Sequence, residues 1–115
     1  MHRGDHREAV AAYRHAIKLL TDPAIEGIVS PTVLGDELVS MGVSFWQLED
    51  REQALSLTER GASLVKRAVD AGTADSGALA VPYSNLANMH RQIGKTDRAN
   101  HFERMAAKYK ANQQK

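Results

Sequence analysis

Apolar residues recur at spacings of three and four along most of the chain, which places them on one face of successive helices. Over 5–20 that face is Ala9, Ala12, Tyr13, Ala16 and Leu20. Pro23 and Gly27 end the pattern. Ser30-Pro31 opens the next helix: a serine oxygen caps free N–H groups, and proline suits a first position where no donor is needed. This helix runs to about Leu48, with Leu34, Leu38, Met41, Phe45 and Leu48 on one side. After an acidic turn at Glu49-Asp50, Ala54, Leu57, Gly61, Ala62, Val65, Ala68 and Val69 form a third stripe. Gly72 and Gly77 mark a connection. A fourth helix is expected over roughly 78–92. Asp75 is placed to cap an earlier start, and Pro82 demands a late start or a kink. Gly94 turns the chain into a fifth helix, buried through Ala99, Phe102, Ala106 and Tyr109 and polar elsewhere, as suits an outer cap. No segment alternates as a strand does.

The helices repeat. Ala9, Ala54 and Ala99 are separated by steps of 45 residues, as are Ala16, Gly61 and Ala106, and Ile17, Ala62 and Ala107. The same step links Leu38 to Tyr83, Met41 to Leu86, Gly42 to Ala87 and Leu48 to Ile93. A fixed period of this length marks a solenoid, in which each unit buries its apolar face by stacking on the next. Helical periodicity excludes propellers but leaves several α-repeat families open.

The residues choose among them. Tyr83-Ser-Asn-Leu86-Ala87-Asn-Met-His90 and Leu38-Val-Ser-Met41-Gly42-Val-Ser-Phe45 resemble the first helix of a tetratricopeptide repeat, W-x₂-L-G-x₂-Y. Gly4 through Ile17, with Ala9, Tyr13 and Ala16, resembles its second helix. The segments beginning at Arg51 and Ala99 match less fully, with Thr58 and Glu103 at the aromatic position. The family repeat is 34 residues, so these units are long, similar to those of kinesin light chains and many bacterial regulators. The resemblance implies an all-α, α-hairpin solenoid: about five antiparallel helices in a right-handed superhelix. The single 1–115 domain would hold the second helix of an incomplete repeat at 1–20 and full hairpins at 30–70 and 76–111. It further implies a concave groove lined by Val39, Ser40, Val43 and Gln47, and by Ser84, Asn85, Asn88, Arg91 and Gln92. Asn85 matches a family asparagine that holds a ligand's backbone with one donor and one acceptor. Ser40 stands at the corresponding place of the preceding repeat.

Composition narrows the function. Apolar content of 43% and charged content of 25% are those of a globular domain, while 5% aromatics leave a core of small and aliphatic side chains. The expected setting is cytoplasmic, since no membrane span or secretory leader is evident. Charge is uneven. Residues 31–75 hold eight acids against four bases, and residues 91–115 hold seven bases against two acids. Neither a phosphate loop nor a nucleophile–base set is present, so no enzyme, cofactor or metal centre is expected. His2 and His6 lack a third ligand. His90 reads as a core-edge histidine where the repeat expects tyrosine. Trp46 is either a ligand anchor or a plug between hairpins. The basic final helix lacks interleaved aromatics for nucleic acid.

The expected function is therefore binding of a peptide or protein segment, by a module of a larger protein. The alternative is a self-associating assembly module. Val10, Ile17 and Leu19 broaden the apolar face of 5–20 beyond one stripe, and a weak homodimer would cover it.

Overall fold

The computed structural model describes Ala11, Arg14, Lys18 and residues 30–113, and the described residues contain helices and turns but no strand. Four α-helices follow in order: α1 (Pro31–Gln47), α2 (Arg51–Asp70), α3 (Ala80–Gln92) and α4 (Thr96–Gln113). A short 3₁₀ helix, Ser76–Leu79, leads into α3. Among the described residues no helix is long and apolar enough to cross a membrane. Ala11, Arg14 and Lys18 are helical; the rest of the expected 5–20 helix, with Val10, Ile17, Leu19, His2 and His6, lies outside the described residues.

α1, α2 and the 3₁₀ helix each begin where a side chain accepts from a free N–H. The Ser30 hydroxyl accepts from Thr32 N–H at 3.2 Å, with Pro31 in the first turn. The Asp50 carboxylate accepts from Gln53 N–H at 3.3 Å and starts α2. Asp75 does cap an earlier start, but of the 3₁₀ helix, accepting from Gly77 N–H at 3.3 Å. Pro82 therefore falls in the first turn of an α-helix that begins at Ala80, where its missing N–H leaves no bond broken.

The two tight turns are the same turn, 45 residues apart. Asp50 N–H donates to Phe45 C=O at 3.0 Å, and Lys95 N–H to His90 C=O at 2.8 Å. Glu49 N–H donates to Trp46 C=O, and Gly94 N–H to Arg91 C=O. These bonds cap the helix C-termini through one residue in the left-handed region: Gly94 at φ 81° and Glu49 at φ 66°. α2 ends in the same way, with Thr73 N–H donating to Ala68 C=O, Gly72 N–H to Val69 C=O and Gly72 at φ 79°.

Contact partners run in opposite order along α1 and α2. Gly35 lies against Gly61 and Val65, and Gly42 against Ala54 and Thr58. The pair is therefore an antiparallel hairpin. A Cβ on Gly35 would sit 2.7 Å from the Gly61 oxygen, and one on Gly61 would sit 2.6 Å from the Gly35 oxygen. The backbones touch because both positions lack side chains. α3 and α4 form a second antiparallel hairpin, in which Tyr83 stacks on Phe102 and Tyr109 at centroid distances of 5.8 and 5.7 Å.

Two apolar clusters join the hairpins. Leu38, Met41, Phe45, Ala54 and Leu57 surround Met89, which comes from α3. Ala62 and Val65 of α2 pack with Leu79, Tyr83 and Leu86. Each hairpin supplies side chains to the other's core, so part of the apolar area of α2 and α3 leaves water only when both are folded. The expected buried face of the last helix is observed in α4: Ala99 is fully buried, and Phe102, Ala106 and Tyr109 close over the second cluster.

Candidate binding cleft

α1 and α3 lie side by side and point the same way, because α2 returns the chain between them. Their facing turns enclose a cleft of about 160 Å³. Val43, Trp46 and Gln47 supply one wall, and Asn85, Asn88, Met89 and Gln92 the other. The spacings are three and four on each helix, so each wall is one helical face. The walls also correspond through the repeat: Val43 and Asn88 are 45 apart, as are Gln47 and Gln92.

Trp46 fixes the distance between the walls. Its indole N–H donates to Gln92 Oε1 at 3.1 Å, and the Arg51 guanidinium lies 5.3 Å from the ring centroid. Met89 is 4% exposed and forms the apolar floor. Among the described residues the cleft lining carries no charge. Its four amide side chains each offer donors and acceptors, while Val43 and Met89 offer apolar contact. Such a lining can exchange hydrogen bonds with amide groups and touch an apolar side chain. The described lining includes no nucleophile, acid or base.

Five of the nine residues expected in a groove line this cleft: Val43, Gln47, Asn85, Asn88 and Gln92. Ser40 and Ser84 are exposed on the same helices, outside it. Two expectations are corrected. Val39 is only 6% exposed, and its Cγ2 lies where a Cβ of Gly61 would be, so it belongs to the α1–α2 interface. Arg91 turns to α4, where it pairs with Glu103 at 2.7 Å and donates to Asn100 at 3.2 Å. Met89 was not expected in the cleft. Its signal was available, since it stands three residues from Gln92 and four from Asn85. Trp46 packs against the first apolar cluster, as a plug between hairpins would, and also lines the cleft.

Behind the floor, beside Met89, lies His90. It is 1% exposed, and its ring stacks on Phe102 at 5.4 Å with a 10° interplanar angle. Neither ring nitrogen has a hydrogen-bond partner among the described residues. Glu59 Oε1 of α2 is 3.9 Å from Nε2, beyond hydrogen-bonding range. Burial is the main cause of a pKa below the ordinary histidine value; Glu59 opposes it, and Arg98 and Lys95 add to it.

A larger hollow of about 360 Å³ has its described lining on α2, including Ser56, Arg60, Ser63 and Arg67. Among the described residues no second wall faces the first. No group of three potential metal ligands occurs among the described residues. In comparisons with known proteins, no family model, no curated protein and no solved structure matches the chain.

Proposed function

We propose that the chain is a tetratricopeptide-type solenoid segment whose cleft between α1 and α3 binds an extended segment of another protein. One observation carries this reading: equivalent residues of two 45-residue units, on parallel helices, converge on an uncharged cleft lined by amides. Amide side chains pair with peptide N–H and C=O groups, which every sequence has, and the apolar floor selects a side chain between them. The matching turns and the interleaved cores favour a repeat solenoid, because stacked hairpins bury faces that neither could cover alone. A short segment held this way binds at about micromolar strength, roughly −8 kcal/mol.

The test is selection of peptide ligands from a random library against the whole chain, followed by mapping. The ligands should perturb Val43, Asn85, Asn88 and Gln92. Alanine at both Asn85 and Asn88 should weaken them about tenfold or more, the worth of two hydrogen bonds, while helical content stays unchanged. Ligands that perturb only the outward faces of α2 and α4 contradict the assignment.

A further inference from the structure

We propose that His90 makes the joint between the α1–α2 and α3–α4 hairpins sensitive to protons, holding it closed while the ring is neutral and loosening it once the ring is charged. The inference does not depend on what the cleft holds.

The position is unusual within the chain's own repeat. His90 stands 45 residues after Phe45, and both are buried at the end of the first helix of a hairpin. Phe45 fills its place with carbon. His90 puts two polar nitrogens in an equally dry place, with no hydrogen-bond partner for either among the described residues. Burying unpartnered polar atoms is costly, and burying an imidazolium costs more. The stacked Phe102 ring solvates neither.

The charges acting on the ring come from two sides. Glu59 of α2, half exposed, favours a proton on the ring. Arg98 of α4 and Lys95 of the preceding turn disfavour one. His101 meets the same phenyl ring edge-on at 5.2 Å but is exposed. A charged ring can gain a direct bond to Glu59 only by moving out of the seam or drawing the carboxylate in. Met89, the next residue, is seated in the core of the first hairpin. Movement of His90 is thereby transmitted to the floor of the cleft.

The sign follows from where the proton binds. In the unfolded chain the ring takes up a proton near pH 6.5, while in the closed seam it stays neutral to lower pH. The stabilisation is complete above that value and is lost as pH falls below it. Between pH 7.5 and 5.5 this reduces the folding constant by at most about tenfold, the limit reached if the folded ring takes up no proton.

The experiment compares urea unfolding of the full chain and its His90→Phe variant at pH 7.5 and 5.5. The variant installs the residue that the chain itself uses at position 45. The folding constant of the unmodified chain should fall more than that of the variant, by up to about tenfold; equal losses overturn the proposal. NMR titration of the unmodified chain provides a second readout that needs no variant. The His90 ring should titrate below 6.5, and the Met89 and Glu59 amides, on opposite sides of the joint, should shift with the same midpoint. A ring that titrates at or above 6.5, or shifts confined to α3, overturn it.

Discussion

At the scale of single residues, the structure rests on places where a side chain is absent. Gly35 and Gly61 let α1 and α2 touch backbone to backbone. Replacing either with alanine gains up to about 1 kcal/mol of helix propensity. The added Cβ would lie within 2.7 Å of a carbonyl oxygen that cannot move without parting the helices. Overpacking of this kind costs about 1–3 kcal/mol, so Gly35→Ala and Gly61→Ala should each destabilise by about 1–2 kcal/mol in urea titrations. Glu49 is the opposite case. It holds φ 66° where Gly94 does the same work one repeat later. A left-handed backbone costs a side-chain-bearing residue about 1–2 kcal/mol, part of which glycine returns through its freer unfolded state. Glu49→Gly should therefore stabilise by about 0.5–1 kcal/mol, read as a higher urea midpoint. The sequence signals Gly61 as part of an apolar stripe, but not that Gly35 is its partner. Periodicity identifies a buried face without identifying what meets it.

At the scale of elements, starts and stops were the most legible features because each is decided within a few residues. Ser30-Pro31 is a cap in the sequence and in the structure, and the acidic turn read at Glu49-Asp50 supplies another through Asp50. Ser30→Ala should cost about 1 kcal/mol of thermal stability. Asp50→Ala should cost somewhat more, since Asp50 also pairs with Arg14 at 3.4 Å across an exposed surface. An ion pair so exposed contributes at most about 1 kcal/mol. Pro82 called for a late start or a kink, and the chain takes the former by spending Ser76–Leu79 on a 3₁₀ turn. Local rules could not choose between the two, because the choice depends on Leu79 being fully buried in the second cluster.

At the scale of the whole molecule, the all-helical character follows from periodicity, and turns with the same two closing bonds stand 45 residues apart. The cleft was partly legible. Residues that share a helical face were found together, as Asn85, Asn88 and Gln92 are. The two misplaced residues depended on partners far along the chain. Val39 is drawn inward by the empty side-chain position at Gly61, and Arg91 is drawn away by Glu103, which occupies the place that Thr58 holds in the preceding unit. Spacing within one helix carries no information about either. The cleft also contains its own reporter, because Trp46 is the chain's single tryptophan and forms part of the wall. A selected peptide ligand titrated into the full chain should change Trp46 emission saturably, with a midpoint near micromolar. The Asn85→Ala, Asn88→Ala double variant should raise that midpoint about tenfold or more. Saturable binding that leaves Trp46 emission unchanged, with the same affinity in the double variant, would contradict the cleft as the site of recognition.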